Sequence, residues 1–468
     1  MARGARVGAA LVAVLLVGAG GYGAADAYDR VPGLLTLAPP PPSPSPFPTP
    51  PAAVPPPAIQ VGADAATDAP VPDAAVVQAA VDAAVVHPWM GSSVGALVVD
   101  QLTGDVLAGS SAEVPREPAS TAKILTAVAA LRALGPERTV ETVVVQEGPG
   151  RIVLVGGGDV MLAAGAGDPT ATNGRAGLAD LADQTARALG LAGVAEVSLG
   201  VDESLFSGPA VSPGWDPADL SQGFVAPVTP LQVNIAKTRE EPYPPRHADP
   251  SLHAAGVFAG LLAERGIAVT ATERRTAPDG ATRIAVVESA PVRDVADYLL
   301  RTSDNTVSEA LGRLVAVEQG LPGSFEGATR AILVEIGRLG VDPAGAVLVD
   351  ASGLAEGSML SARQLVEVLR VAALDPALRS AVVDLPIGGW EGTLEDRFTE
   401  APALGLVRAK TGSLTGTTSL AGTVVTDQGR QLVFAVLADA TPPGGQLGPR
   451  RVIDALVQQV AGCECPLP

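Results

Sequence analysis

Lysine is scarce in this 468-residue chain, because only three of the 31 basic residues are lysines and the other 28 are arginines. Two of the three, Lys123 and Lys410, lie in the short motifs Ser-Thr-Ala-Lys (120–123) and Lys-Thr-Gly-Ser (410–413). Arginine stays protonated in proteins, whereas a desolvated lysine can lose its proton. The lysines that remain therefore mark positions where an amine can do chemistry that a guanidinium cannot. Asparagine is equally rare, and one of its three occurrences, Asn305, ends a Ser-Asp-Asn tripeptide.

Histidine and cysteine are almost absent, which excludes several kinds of site. His87, His247 and His253 lie in stretches rich in proline or alanine, and no G-x-S-x-G elbow surrounds any serine. A catalytic triad built on histidine is therefore not expected. The two cysteines, Cys463 and Cys465, lie near the C-terminus without a histidine cluster that could complete a metal site. We expect no metal and no cofactor.

Positive charge is also in short supply, since the formal net charge is −19 and the sequence pI is about 4.6. Nucleic-acid binding needs a basic surface that displaces counterions, so no nucleic-acid partner is expected. An anionic substrate would be captured by the local charge of Lys123, Lys410 and nearby arginines inside an otherwise acidic field.

Charged residues are absent from an N-terminal apolar stretch, residues 7–25, which follows Arg3 and Arg6. This pattern predicts an export signal in residues 1–27. A small-x-small sequence at 25–27 suits cleavage, and nineteen apolar positions also suffice to span a bilayer, so a signal peptide and a membrane anchor both remain open. Residues 28–60 contain a proline-rich linker with twelve prolines between Pro39 and Pro57, a stiff spacer. In either case we expect an exported protein with an extracytoplasmic location in the cell envelope, secreted or anchored to the plasma membrane by the N-terminal segment.

Three motifs follow one another in the order S-x-x-K (120–123), S-x-N (303–305) and K-T-G (410–412). This order is typical of penicillin-binding proteins and class A β-lactamases. A lone S-x-x-K arises by chance about once in a few hundred residues, whereas all three motifs in order form a specific signal. The apolar run after Ser120 predicts a buried helix, and helix positions i and i+3 share a face. The Ser120 hydroxyl should therefore lie beside the Lys123 amine.

The residue types assign a role to each motif side chain. Ser120 is the predicted nucleophile and Lys123 the predicted general base, because burial and a neighbouring cation such as Lys410 can both lower the pKa of a lysine. Ser303 is expected to pass a proton to the leaving amine. Asn305 is expected to hold Lys123 and the substrate amide.

The third motif is predicted to bind substrate from an extended strand. Lys410, Thr411 and Ser413 would present a positive charge and two hydroxyls to a substrate carboxylate, with Gly412 between them. The backbone N–H groups of Ser120 and Ser413 would form an oxyanion hole, since aimed N–H donors stabilise the charge that develops on the carbonyl oxygen.

With these motifs the chain resembles the D-alanyl-D-alanine carboxypeptidases/endopeptidases of the penicillin-binding protein 4 type, which form peptidase family S13. The resemblance covers about residues 90–461. Besides the triplet, it rests on residues 154–159, 214–215, 226–228, 309–311, 350–354, 392–394 with Arg397, and 414–422.

This resemblance implies an α/β (α+β) fold in which a serine transpeptidase/β-lactamase-like domain, a sheet covered by helices, receives an inserted domain between the first and second motifs. The 180 positions from Lys123 to Ser303 leave room for such an insert. We assign residues 61–140 and 251–468 to the catalytic domain and residues 141–250 to the inserted domain.

The resemblance further implies a serine-type D-Ala-D-Ala carboxypeptidase/endopeptidase that acts on peptidoglycan peptides and is inhibited covalently by β-lactam antibiotics. Two alternatives remain. A β-lactamase shares the triplet but needs a further glutamate, and no convincing Glu-x-x-Leu-Asn is present. A non-catalytic wall-binding protein could keep the fold, although every motif residue is present. Lys237 has no motif around it and is interpreted as a surface residue.

Overall fold

A computed structural model describes residues 19–28, 30–31, 37 and 68–463. Within 68–463 the α-helices are α1 (Ala74–Val85), α2 (Lys123–Leu134), α3 (Leu178–Leu191), α4 (Pro217–Ser221), α5 (Pro250–Glu264), α6 (Val292–Thr302), α7 (Asn305–Glu318), α8 (Phe325–Arg338), α9 (Ala362–Leu374), α10 (Ser380–Val383) and α11 (Leu447–Ala461). The strands are β1 (Val94–Asp100), β2 (Val106–Ser110), β3 (Glu141–Gly148), β4 (Arg151–Val155), β5 (Asp159–Leu162), β6 (Glu196–Asp202), β7 (Leu231–Val233), β8 (Ala268–Arg274), β9 (Thr282–Glu288), β10 (Val407–Leu414), β11 (Thr417–Val425) and β12 (Gln431–Ala438).

The sheet that carries the third motif has five antiparallel strands in the order β10-β11-β12-β1-β2. Successive side chains of a strand point to opposite faces, so a strand that is apolar at every position must be covered on both sides. The central strand β12 has this pattern. Its odd-numbered residues belong to one apolar core and its even-numbered residues to another: Val433, Ala435 and Leu437 on one face, and Leu432, Phe434, Val436 and Ala438 on the other.

Helices cover both faces of this sheet. Residues of α2, α7, α8 and α9 form the core on one face, and residues of α1 and α11 form the core on the other. The α/β fold with a sheet between helical layers is therefore as predicted. This layering buries α2, which brings the first motif under the edge of the sheet near β10.

A second five-stranded sheet, in the order β8-β6-β4-β3-β9, is formed by the chain between the first two motifs. Strands β4, β6 and β8 run parallel, and α3 and α5 lie between them in sequence and share their apolar core. Parallel neighbours need such crossover connections. Strands β5 and β7 form a separate parallel pair. Both large sheets lie in one compact unit, Ala63–Pro468, and Met1–Gly62 forms another.

The second sheet continues beyond residue 250, where the predicted insert ends. Helix α5 packs into the core of the second sheet, and β8 and β9 form its two edge strands, so this part of the chain continues to Glu288. Almost all side chains of the edge strand β8 are exposed. Its sequence therefore lacks the apolar alternation that reveals a strand.

Little of the N-terminal unit is described. Residues 19–27 are helical, and the rest of the predicted export signal, together with the prolines from Pro39 to Pro57, lies outside the described residues. Among the helices that the structure describes, none combines the length and the apolar character required to cross a bilayer. The signal peptide, the anchor and the linker stay predictions.

Candidate active site

The first motif lies where a tight turn meets a buried helix. Residues Ala119–Ala122 form a 3₁₀ turn, and α2 begins at Lys123. The distance from Lys123 Nζ to Ser120 Oγ is 3.0 Å, which is a hydrogen bond. The predicted i, i+3 pairing of hydroxyl and amine is therefore present.

Lys123 is wholly buried, and its amine has three oxygen partners. Nζ lies 3.0 Å from Ser120 Oγ, 2.6 Å from Asn305 Oδ1 and 2.7 Å from the Ser352 carbonyl oxygen. The Asn305 and Ser352 oxygens can only accept, so they take two N–H bonds of the amine. In a neutral lysine the remaining lone pair then faces the Ser120 hydroxyl, which is the arrangement that a general base requires.

The electrostatics of the site also suit a base. Burial lowers the pKa of Lys123 to about 8, although the charges of Asp350, Glu309 and Asp304 oppose this effect. Burial and the nearby charge of Lys123 hold the pKa of Lys410 well below its usual value. Two buried ammonium groups that repel one another titrate as a coupled pair. An amine that deprotonates near neutral pH can take a proton from serine.

The second motif forms the junction between two helices. Ser303 ends α6 in the left-handed conformation, with φ of 59°, and Asp304 caps α7 by accepting the backbone N–H groups of Thr306 and Val307. This sharp turn directs the Asn305 side chain towards Lys123. Its Nδ2 donates to the Phe224 carbonyl oxygen at 2.9 Å, which fixes Oδ1 as the acceptor for Lys123.

A buried ion pair supports this junction. Arg246 Nη2 lies 3.2 Å from Asp304 Oδ2, and the two side chains are only 3% and 8% exposed. Arg246 also donates to the carbonyl oxygens of Gly223 and Ile235. The region between the first two motifs in sequence thus contributes directly to the wall of the site.

The third motif lies on β10, as predicted, and its glycine allows close packing. A Cβ atom at Gly412 would overlap Ser419 Oγ and would lie 2.6 Å from the Pro118 carbonyl oxygen. Glycine therefore lets β10 pass directly over the turn that carries Ser120. Thr411 Oγ1 lies 3.1 Å from Thr393 Oγ1, and Arg450 Nη2 donates to Ser413 Oγ at 2.9 Å.

Lys410 is predicted to present a positive charge to a substrate carboxylate, and the structure places its side chain beneath the surface of the cleft. Its side chain is wholly buried, and Nζ donates to the Thr411 carbonyl oxygen at 2.9 Å. Residues alternate across a strand, so Thr411 and Ser413 face the cleft while Lys410 lies behind it. The cations that line the cleft beside these hydroxyls are Arg397 and Arg450.

All three motifs meet at one cleft of about 730 Å³. Ser120, Ser303, Asn305, Thr411 and Ser413 line it, whereas Lys123 and Lys410 lie beneath its surface. The lining also contains the side chains Asp219, Phe224, Lys237, Tyr243, Arg246, Tyr298, Asp304, Leu354, Thr393, Arg397 and Arg450.

Lys237, interpreted from the sequence as a surface residue, lines this cleft. It follows a 3₁₀ turn, Asn234–Ala236, in which three successive non-glycine residues adopt positive φ. Its backbone pairs with that of Arg246, so a short hairpin brings both residues to the cleft. All three lysines of the chain therefore lie in or beside one site.

A loop outside the motifs also reaches the reacting groups. The Ser352 carbonyl contacts Lys123, and Gly353 and Leu354 line the cleft. The resemblance pointed to residues 350–354, but the sequence alone gave no contact with Lys123. A backbone carbonyl has no side-chain signature that could have revealed it.

Within the described part of the chain, no group of three or more His, Cys, Asp or Glu side chains is arranged to hold a metal ion. Cys465 lies outside the described residues.

A buried serine–lysine pair, a Ser-x-Asn turn and a Lys-Thr-Gly strand around one cleft form the arrangement that the three motifs of penicillin-binding proteins predict. The model of the D-Ala-D-Ala carboxypeptidase 3 (S13) family matches residues 77–247 and 236–461. The chain belongs to this family and is a D-Ala-D-Ala carboxypeptidase.

Comparisons with individual proteins agree with the family. The chain is 39% identical to a carboxypeptidase of Mycobacterium tuberculosis over 88% of its own length and 89% of that protein. It is 39% identical to carboxypeptidase DacB of Mycolicibacterium smegmatis over 85% of its length and 86% of that protein. The crystal structure of penicillin-binding protein 4 from Haemophilus influenzae shares the fold, with a TM-score of 0.69, 22% identity and coverage of 81% of this chain and 98% of that chain.

Proposed function

We propose that this chain hydrolyses the terminal D-Ala-D-Ala bond of peptidoglycan stem peptides through an acyl-enzyme on Ser120. The single observation that carries the proposal is the buried Lys123 amine, held 3.0 Å from Ser120 Oγ with its other two hydrogen-bond positions occupied. Such a pair activates a serine without histidine.

In the acylation step Lys123 takes the proton of Ser120, and Oγ attacks the carbonyl carbon of the penultimate D-alanine. The backbone N–H groups of Ser120 and Ser413, two residues that line the cleft, stabilise the oxyanion. The C–N bond then breaks as Ser303 passes the proton from Lys123 to the leaving amine. D-alanine departs and an ester on Ser120 remains.

In the deacylation step water attacks the ester carbonyl, and its proton goes to Lys123. When the tetrahedral intermediate collapses, Ser120 leaves as the alcohol and takes its proton back from Lys123. The peptide departs one D-alanine shorter, and the enzyme is restored.

The cleft beside β10 is suited to the terminal carboxylate of the substrate. The Thr411 and Ser413 hydroxyls face it, and the guanidinium of Arg450 donates to Ser413 Oγ. Lys410 adds positive charge from behind the strand when it is protonated. Asn305 completes the site by contacting the substrate amide as well as Lys123.

Covalent inhibition by penicillins follows from the same geometry, because a β-lactam resembles the acyl-D-alanyl-D-alanine end. A solved structure of Haemophilus influenzae penicillin-binding protein 4 in complex with a β-lactam supports this proposal. Endopeptidase cleavage requires only that the cleft accept a longer leaving group. Cell-wall peptides are in turn reachable only outside the cytoplasm, in agreement with the export signal predicted in residues 1–27.

The test is labelling of the full chain with a fluorescent penicillin, followed by mass spectrometry of the adduct. We expect a long-lived adduct on Ser120 that is absent from Ser120→Ala, together with release of D-alanine from a stem peptide by the unsubstituted protein. Labelling that survives in Ser120→Ala would refute the nucleophile. Rapid turnover of the drug would favour a β-lactamase, and no labelling at all would favour a non-catalytic wall-binding protein.

A further inference from the structure

The loop of residues 350–355 contacts the general base, although none of the three motifs contains it. The Ser352 carbonyl oxygen accepts a hydrogen bond from Lys123 Nζ at 2.7 Å. The neighbouring Ala351 carbonyl accepts from Thr126 Oγ1 of α2 at 2.6 Å and from Ser308 Oγ of α7 at 2.7 Å. The loop therefore lies between the helix that carries Lys123 and the helix that carries Asn305.

One buried carboxylate holds this loop in its shape. Asp350 Oδ1 accepts the backbone N–H groups of Ser352 at 3.1 Å and Gly353 at 2.6 Å. Asp350 Oδ2 accepts the backbone N–H of Ala355 and Trp215 Nε1–H, both at 2.8 Å. These four donors fill the four lone-pair positions of a carboxylate. An asparagine would turn an N–H₂ group towards two of them and disrupt the arrangement.

We propose that Asp350 is a positioning residue for Lys123, an inference that rests on the acylation chemistry proposed above. By holding the loop, Asp350 aims the Ser352 carbonyl at Lys123 and occupies one N–H of the neutral amine. Asn305 occupies the other N–H, so the lone pair is left facing the Ser120 hydroxyl. Without the Ser352 acceptor the amine is free to rotate its lone pair away from Ser120, and acylation slows.

The charge of Asp350 provides a readout that a purely structural role would not change. The charged groups that face Lys123 are Asp350 on the loop, Asp304 and Glu309 at the start of α7, and Lys410 on β10. Burial lowers the pKa of Lys123, and the three carboxylates raise it. Loss of the Asp350 charge therefore lowers that pKa further. The acylation rate rises with pH as Lys123 deprotonates, and this rising limb of the pH profile then moves to lower pH.

Glu309 can mask this shift and has to be controlled. Burial, followed by the charge of Asp350, raises the pKa of Glu309 to about 8. If Asp350 becomes neutral, Glu309 ionises at lower pH and restores a negative charge near Lys123. Asp350→Asn is therefore measured alone and in a Glu309→Gln background, in which residue 309 cannot ionise and cannot restore the lost negative charge.

The experiment measures the rate of penicillin acylation of the full chain as a function of pH. Asp202→Asn is the matched control, because Asp202 is also a buried carboxylate that accepts two backbone N–H groups, those of Ser204 and Ala277, both at 2.8 Å. Asp202 does not line the cleft. We expect Asp350→Asn to slow acylation about ten- to a hundredfold, the scale of a misplaced catalytic group, and to shift the limb to lower pH in the Glu309→Gln background. Asp202→Asn should change neither.

Two results would overturn the proposal. The first is acylation by Asp350→Asn within about twofold of the unsubstituted rate. The second is slower acylation whose rise with pH does not move in the Glu309→Gln background. If Asp350→Asn does not fold, Trp215→Phe decides, since it removes one of the four donors and keeps the carboxylate. Slower acylation by folded Trp215→Phe supports the proposal, and an unchanged rate overturns it. Absence of acylation in the unsubstituted protein would instead refute the proposed function.

Discussion

Replacement of Lys123 by arginine tests the general base most directly. Burial brings the pKa of Lys123 to about 8, so at pH 7 roughly one tenth of the molecules carry the neutral amine. Only that fraction can accept the Ser120 proton. The acylation rate should therefore rise about tenfold between pH 7 and pH 10, with an apparent pKa that belongs to the coupled pair Lys123 and Lys410.

Lys123→Arg removes this rise of the acylation rate with pH, the alkaline limb of the profile, because a guanidinium cannot lose its proton at any pH of the assay. We expect acylation by penicillin to fall by about 10²- to 10⁴-fold, the usual contribution of a general base, and to match Lys123→Ala. The assay is stopped-flow acylation from pH 6 to pH 10, with thermal unfolding to verify that each variant is folded. Lys237→Arg makes the same chemical change at an amine that is not the base and should keep the alkaline limb.

A folded Lys123→Arg variant that acylates within about threefold of the unsubstituted rate, with an unchanged pH profile, would refute the role of Lys123 as the general base. The base would then have to be sought elsewhere, with Ser303 as the next candidate. If the rise with pH disappears in both lysine-to-arginine variants, it does not report deprotonation of Lys123 alone.

Three further perturbations follow from the buried charges. Lys410→Met keeps the apolar stem but removes the amine, so kcat/KM for a D-Ala-D-Ala peptide should fall about ten- to a hundredfold. Burial raises the pKa of Glu309 in the folded protein to about 8. Its protonated form therefore stabilises the fold fully below the pKa of this glutamate in the unfolded chain, and the stabilisation is lost as the pH rises from there to 8. In urea unfolding, the free energy of unfolding of the unsubstituted protein should fall by roughly 1.4 kcal/mol per pH unit over this range. Glu309→Gln should abolish this fall. Arg246→Met should destabilise by about 3 to 5 kcal/mol because it leaves Asp304 buried and unpaired, whereas Arg239→Met at an exposed pair should cost less than about 1 kcal/mol in the same assay.

Contrary results would be specific to each case. Full peptide hydrolysis by Lys410→Met would show that the buried amine has no catalytic role. Parallel stability curves for Glu309→Gln and the unsubstituted protein between pH 5 and pH 8 would show that Glu309 titrates normally. Equal losses of stability for the two arginine variants would show that the pair at Arg246 contributes no more than a surface pair.

Rarity made the main site residues recognisable from sequence. Lys123 and Lys410 were found because lysine is almost absent elsewhere, and their spacing to Ser120 and within the third motif matched known chemistry. The helix of the first motif and the strand of the third were predictable because apolar periodicity reports local structure. The long interval between the first two motifs predicts an inserted domain at 141–250, and the second sheet formed there extends past residue 250.

The rest of the site depends on contacts that sequence order hides. Lys123 and Ser352 are 229 positions apart and meet through a backbone carbonyl, which has no residue preference. Trp215 and Asp350 are 135 positions apart, and neither looks catalytic in isolation. The place of Lys237 at the cleft is not predictable from sequence, because nothing in its neighbours shows that the chain turns back there.

The backbone around the motifs explains why so many distant residues are needed. Ala119, before the nucleophile, has φ of 48°, and Ser303 has φ of 59°. Left-handed geometry in non-glycine residues costs of order 1 to 3 kcal/mol each and persists only where packing enforces it. Here the packing is visible, because a Cβ at Gly353 would overlap the Ala119 carbonyl oxygen and a Cβ at Gly412 would press on Pro118. The 350–355 loop and β10 thus clamp the nucleophile turn from two sides. A sequence that kept only the three motifs, without these supporting segments, would leave the nucleophile turn free to relax and would separate Ser120 from its base.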